Sequence, residues 1–262
     1  MLTSIRKSDS VKVLARDADK RNGPFICPLC GSETFVRKGR IRIPHFAHKP
    51  PILCEYGKGE SDYHRKCKQG IFDELSKFSD LYCELEKNLG NVIPDVYIES
   101  LRTHNKYAIE VQISNLTMGR IIERTQEYER LGIYVLWLPV YTDKLKAEKY
   151  SPKAWEKWLH AVYYGRIYYW SEGTSVVPIH FSEHRLYVGE STWYSDDGES
   201  MSAGGYYKKS RRFRTPEVGQ PLDIARSFRP KERSEWKGGN IFVPKCRILI
   251  DDLKPWWNNK ES

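Results

Sequence analysis

The chain has 262 residues, 40% of them hydrophobic, and a formal net charge of +9, with a pI of about 9.1. That length and apolar content exclude a wholly disordered chain and leave room for one large domain or two smaller ones, while the positive excess points to a polyanionic partner. The start, MLTSIRKSDSVKV, lacks the apolar core of a secretory signal, and no later stretch is long and apolar enough to span a bilayer, so a cytoplasmic protein with no membrane segment is expected.

In chain order, residues 11–15 (VKVLA) and 34–43 (TFVRKGRIRI) predict short strands, the second run folding back at Lys38-Gly39. Cys27-Pro28-Leu29-Cys30 lies between them, and His45-Phe46-Ala47-His48 follows. Two thiolates and two imidazoles suit tetrahedral zinc, so Cys27, Cys30, His45 and His48 are candidate ligands of a structural Zn2+. The His-x-x-His half is tighter than usual finger spacing, which makes Cys54 a candidate to replace one histidine. The alternative is a reduced cysteine pair beside two surface histidines. Arg37, Lys38, Arg40, Arg42 and Lys49 read equally as a nucleic-acid face or a solvated hairpin edge.

Residues 49–59, KPPILCEYGKG, read as a linker. Ser61 is a fair N-cap for a helix over 62–78, whose apolar face carries Cys67, Ile71, Leu75 and Phe78. His64 and Lys68 fall on that same face, either snorkelling at its margin or pointing at a site. A strand is expected over 81–85, then two more within Ile93 to Ser114 (IPDVYIESLRTHNKYAIEVQIS). Strand alternation puts Glu110, Gln112 and Ser114 on one face and Ile109, Val111 and Ile113 on the other. An antiparallel pairing brings Asp95 beside Glu110, and two such carboxylates suit Mg2+ or Mn2+; the plainer reading is the wet face of a half-exposed sheet. A helix over 117–131 follows, stopped by Gly132, with Met118, Ile121 and Ile122 as its expected buried face and Arg124 and Tyr128 one turn apart. IYVLWL, 133–138, suits a buried strand. The element order is therefore αβββαβ.

Beyond it, residues 151–170 predict a helix after Ser151-Pro152, its aromatics packing on the core or stacking nucleobases. VVPIHF and RLYVG read as short strands, and IFVPKCRILIDDL adds another. The basic run from Lys208 to Arg214, with Arg211, Arg212 and Phe213, reads as a phosphate contact or as a solvated loop. His180 and His184 receive no metal.

These motifs resemble the competence protein CoiA-like family, whose nuclease domain belongs to the PD-(D/E)XK, restriction-endonuclease-like superfamily. The resemblance rests on CPLCG, GRIRIPHFAH, the start ES-x-x-H-x-x-x-K at Glu60, Ser61, His64 and Lys68, Pro94-Asp95, EVQIS from Glu110, and Arg124 with Tyr128 before GIYVLWL, all in order over residues 1–140. It implies an α/β fold: a zinc-ribbon-like β module over 1–58, a nuclease-like domain over 59–140, and an α+β region of unknown role over 141–262. It also implies a Mg2+-dependent nuclease that hydrolyses DNA phosphodiester bonds in competence-linked processing or recombination. Asp95 and Glu110 would hold the metal, with Glu60 joining through water. The motif's usual lysine is here Gln112, a hydrogen-bonding group without charge, so Lys68 or His64 would supply the charge. Arg124 and Tyr128 would brace the sheet or contact phosphate. The alternatives are a degenerate DNA-binding or recruitment protein and a nuclease of antiphage defence. DNA, and recombination or defence proteins, are the implied partners.

Overall fold

A computed structural model of the chain describes residues 1–52, 54, 56–57, 59–112 and 117–258. Five short strands come first: β1 (Thr3–Arg6), β2 (Lys12–Leu14), β3 (Phe25–Ile26), β4 (Glu33–Arg37) and β5 (His45–His48). They form one antiparallel sheet in the order β2-β1-β3-β4-β5. The hairpin expected within 34–43 does not form. β4 stops at Arg37 and pairs instead with β5, Thr34 opposite His48 and Arg37 opposite His45. Packing decides this: Phe46 is buried against Phe25 with ring centroids 5.1 Å apart, whereas Ile41 of the alternating run is 93% exposed.

The next elements follow the expected order closely: α1 (Asp62–Leu75), β6 (Leu81–Leu85), β7 (Val96–Ser100), β8 (Lys106–Gln112), α2 (Met118–Arg130) and β9 (Ile133–Pro139). The Ser61 hydroxyl accepts the His64 amide and starts α1. Thr117 caps α2 in the same way through the Arg120 amide. Past the end of α2, Gly132 has a φ of 69°, a left-handed stop that a side chain would strain. The buried stripe of α2 is Ile121, Thr125 and Tyr128 rather than the expected Met118 and Ile122, because Thr125 donates back to the Ile121 carbonyl and accepts the Trp137 indole N–H at 3.0 Å. Ile113 and Ser114, the end of EVQIS, lie outside the described residues.

The remaining elements are α3 (Ala154–Val162), β10 (Ile167–Glu172), β11 (Ser175–Val188), β12 (Ser191–Tyr194), β13 (Ser200–Ala203), β14 (Tyr206–Val218), β15 (Leu222–Asp223), α4 (Ile224–Ser227), β16 (Phe228–Arg233), β17 (Trp236–Gly238), β18 (Ile241–Val243) and β19 (Cys246–Asp251). The helix expected over 151–170 stops at Val162. Tyr164 and Gly165 both take positive φ, and the Ile-Tyr-Tyr-Trp that follows is a β-branched and aromatic run that forms β10. The two short strands expected near 174–189 are one long strand, β11, paired antiparallel with β14. The basic run is therefore part of a strand and not a solvated loop.

A six-stranded sheet, β16-β19-β9-β8-β7-β6, forms the centre of the molecule. β7 runs antiparallel to β8, Val96 opposite Ile109, while β9 runs parallel to it, Glu110 opposite Trp137. One hydrophobic core joins residues of α1, β7 to β9 and α2 with Trp158, Tyr163, Tyr168 and Ile248 from the later chain. No helix is long and apolar enough to cross a membrane among the described residues.

His160, on α3, accepts the Phe181 amide at Nε2 over 3.1 Å, a bond available only to the neutral ring. Burial, then the neighbouring His180, push its pKa from 6.5 down to about 3. Between those values the unfolded chain binds the proton and the folded one does not, so stability is lost as pH falls. Unfolding free energies from urea titrations between pH 7 and pH 4 are expected to drop by up to about 1.4 kcal/mol per pH unit from this group, and His160→Gln should flatten the profile.

Candidate functional site

α1 and the strands it packs on converge on a cluster of buried charge. Lys68 is 3% exposed, and its ammonium contacts Glu60, Glu86 at 2.7 Å and Asp95 at 3.4 Å. His64, one turn earlier, sets Nε2 3.1 Å from Asp95 Oδ2 and Nδ1 3.5 Å from Glu60. The Val111 amide donates to the same Asp95 oxygen at 2.8 Å. The expected juxtaposition of Asp95 with the Glu110 strand is therefore made through the backbone of β8. Burial alone would raise the Asp95 pKa, but the charges of His64 and Lys68 outweigh it and hold the carboxyl below its usual range.

Glu110 is held from the other side. Arg124 and Tyr128 of α2 both donate to its Oε1, and Arg124 also donates to the Ile93 carbonyl at 2.9 Å. Burial, the largest influence, raises the Glu110 pKa, with the Arg124 charge opposing it and the Asp95 charge adding to it. Tyr128, one of the four residues expected at a nucleic-acid contact with Arg124, Arg211 and Arg212, is 0% exposed, so it has no surface to offer a phosphate and acts as a brace. Arg124, by contrast, reaches the wall of a cavity of about 340 Å3 that Glu60, His64, Lys68, Asp95, Glu110 and Gln112 also line. All six residues expected to be catalytic thus meet at one cavity. Arg211 and Arg212 sit apart from it, on β14.

Glu86 was not legible as a member of this centre. It follows β6 at a φ of 52° and its carboxylate accepts the Leu2 and Thr3 amides at 2.9 and 3.0 Å as well as Lys68. A lone glutamate after a strand gives no periodic signal; its left-handed backbone is visible only in three dimensions.

The second cluster is in the first module. Ligand atoms of Cys27, Cys30, His48 and Cys54 all lie within 4.8 Å of one another. Cys54, not His45, completes the set. His45, itself buried, stays out of the set because its Nδ1 bonds the Ile43 carbonyl at 2.9 Å, whereas His48 Nε2 lies 3.4 Å from Cys30 Sγ. β5 explains the split, since His45 and His48 stand at opposite ends of a four-residue strand. The Cys27–Gly31 loop is a tight knuckle: the Gly31 amide donates to the Cys27 carbonyl at 3.0 Å and the Leu29 amide to its sulfur at 3.4 Å. Burial pushes the Cys27 thiol up to about 12, while hydrogen bonds from Ser32 and His48 overcome burial and bring Cys30 down to about 6. Three sulfurs and one imidazole fit a metal such as zinc.

Two family models match the chain: "Competence protein CoiA, N-terminal domain" over residues 9–57 and "Competence protein CoiA, nuclease-like domain" over residues 60–172. The chain belongs to the CoiA-like family. Competence protein CoiA of Bacillus subtilis (strain 168) is 30% identical over 120 residues, a match that covers 45% of this chain and 32% of that relative. No solved structure gives a significant match. The CoiA nuclease-like match contains every residue of the acidic centre, while the Leu2 and Thr3 amides that bind Glu86 lie before both matches, and the CoiA N-terminal match contains all four members of the Cys/His cluster.

Two outcomes test these clusters. Zinc measured by mass spectrometry on purified protein should be lost in Cys54→Ser and retained in His45→Ala; the reverse pattern would restore His45 to the set. Lys68→Met leaves Glu60, Glu86 and Asp95 without their shared cation and should lower unfolding free energy in urea by about 3–5 kcal/mol.

Proposed function

We propose that this chain is a Mg2+- or Mn2+-dependent nuclease of the PD-(D/E)XK type that hydrolyses DNA phosphodiester bonds during DNA processing in competence. One observation carries the reading: Asp95, immediately before β7, and Glu110, on the neighbouring β8, line one cavity together with Lys68, His64 and Arg124, in a chain whose family match is to a nuclease-like domain.

The residues fit a hard divalent cation. Glu110 is buried and Asp95 half-buried, and both are oxygen donors with capacity left: among the described residues Glu110 Oε2 accepts no hydrogen bond, and Asp95 Oδ1 has only Lys68, at 3.4 Å. When bound, such a metal polarises the phosphate and acidifies a water. The protein's own groups supply the positioning. His64 and the Val111 amide fix Asp95, and Arg124 with Tyr128 fix Glu110. Lys68 brings a permanent positive charge beside Asp95, in place of the lysine that Gln112 replaces, and Glu60 orients that ammonium. Gln112, 5% exposed, lines the cavity as a hydrogen-bonding group for water or phosphate oxygen. Arg124 adds attraction for the phosphate. Recombination or antiphage-defence proteins are the partners such an activity implies.

A second reading has its own support. Glu60, Glu86, Asp95 and Glu110 are each already paired with a cation of the chain, which suits a dormant centre that holds DNA without cutting it. Cleavage of labelled DNA with added Mg2+ or Mn2+ separates the two. The nuclease reading expects Asp95→Asn and Glu110→Gln to lower turnover by at least about 100-fold while DNA affinity holds. Wild-type protein inactive with either metal, yet binding DNA as tightly as Glu110→Gln, would establish the dormant centre instead.

A further inference from the structure

A second cavity, of about 620 Å3, adjoins the acidic centre and shares Gln112 with it. We propose that this cavity seats a single DNA strand beside the phosphate to be cut, with Lys144 and Lys149 on its phosphates and Tyr63 against a base. The inference rests on the nuclease reading for the identity of that phosphate, and on this cavity alone for the binding.

Size sets the class of ligand. Clefts of about 300–1,000 Å3 enclose ligands on the scale of a few nucleotide units, and a duplex is too wide for them. The lining supplies both halves of sequence-tolerant strand recognition, which are cations for the backbone and flat rings for the bases. Lys144 and Lys149 are exposed on the rim, and neither is paired with a carboxylate among the described residues, whereas Lys146, between them, is held by Asp143 at 2.7 Å. Tyr63 is 48% exposed, directly before His64 on α1, so one turn of helix serves both cavities. Trp155, which also lines the cavity, is only 8% exposed and packs in the core with Lys153 6.0 Å from its ring, so it shapes the floor and leaves the stacking face to Tyr63.

Glu156, the one acid in the wall among the described residues, does not argue against an anionic ligand. The Glu156 carboxylate already takes donors from Tyr150 at 2.9 Å, Tyr169 at 2.7 Å and the Lys153 amide at 2.7 Å. Its role is to orient the two tyrosines.

The cavity also has a basic exit. Tyr150 and Arg214 exchange backbone hydrogen bonds of 2.9 and 2.8 Å, which joins the rim to β14. There the register breaks. Glu183 lies opposite Arg214 but Arg185 lies opposite Lys209, so residues 210–213 bulge out of the ladder. That bulge presents Arg211 and Arg212. Lys149 sits 4.1 Å from the Phe213 ring centroid, and Arg212 lies 5.2 Å from it on the same residue, which ties the bulge to the rim. Phe213 is thus engaged by two cations, and the stacking surfaces fall to the cavity. A strand leaving the acidic centre meets positive charge from Lys144 to Arg212.

Fluorescence anisotropy with a labelled oligothymidylate, on the full chain and without added divalent metal, reads the binding apart from cleavage. Replacing both lysines, Lys144→Ala with Lys149→Ala, is expected to weaken binding about tenfold and to reduce the slope of log affinity against log salt by about 1.4, since each single-strand phosphate contact contributes about 0.7. A duplex of the same length should compete poorly, and an oligonucleotide bearing 5-iodouracil should cross-link to Tyr63. Unchanged affinity and salt slope, equal competition by duplex, or cross-links confined to other residues would overturn the proposal. A chain that binds as described but cuts DNA with neither Mg2+ nor Mn2+ removes the nuclease reading and leaves this one; a chain that cuts DNA while the lysine pair proves irrelevant to binding does the opposite.

Discussion

The ammonium of Lys68 touches three carboxylates that come from three places in the chain: Glu60 before α1, Glu86 after β6 and Asp95 before β7. Burying an ion is expensive by several kcal/mol unless partners surround it, and here each partner is fixed by something else. Glu86 also accepts the amides of Leu2 and Thr3, so the first strand of the N-terminal sheet is tied to the same charge. Burial would lower the Lys68 pKa, but Glu86, Asp95 and Glu60 together raise it, and the group stays charged. The N-terminal sheet, the first helix and the central sheet therefore share a single electrostatic junction.

The two acids of the proposed centre answer to different helices. α1 sets Asp95 through His64 and Lys68, while α2 sets Glu110 through Arg124 and Tyr128. Their separation is consequently governed by how these helices sit on β7, β8 and β9, and the aliphatic contacts of Ile71, Ile109 and Ile121, all fully buried, keep that spacing. Asp95 sits in the bend just before β7 and is pinned there by α1 and by the Val111 amide of β8, while Glu110 lies within β8. Residues held this way give a preorganised arrangement, which is what electrostatic catalysis on a phosphate requires.

Much of the centre was legible because local rules and tertiary packing agree there. Ser61 and Gly132 mark helix ends by chemistry that acts within a few residues, and IYVLWL has no polar face to expose, so it had to be a central strand. Asp95, Glu110, Gln112, His64 and Lys68 follow from periodicity on those elements. Failures cluster where partners are remote in sequence. Arg40 to Ile43 alternates as well as any strand, yet β4 pairs with His45–His48 because Phe46 fills a small core. The same pairing separates His45 from the sulfurs and leaves Cys54 to join them. Residues 151–170 read as one helix, yet the chain reverses at Tyr164 and Gly165 and the β-branched and aromatic run after them forms β10. Glu86 depends on contacts with Leu2 and Lys68 that no local window contains.

The central sheet also has a temporal consequence. β9, at residues 133–139, takes β19 as its parallel neighbour, with Ile248 opposite Val135, so more than a hundred residues are translated between one strand and the next. During that interval the edge of β9 offers unpaired amides and carbonyls together with a strongly apolar sequence, the combination that templates pairing between chains. Domains assemble from the N-terminus as they emerge from the ribosome. The nascent protein therefore carries its acidic centre on a sheet with an open flank, and stopping synthesis before Cys246 would leave that flank as the molecule's main aggregation hazard.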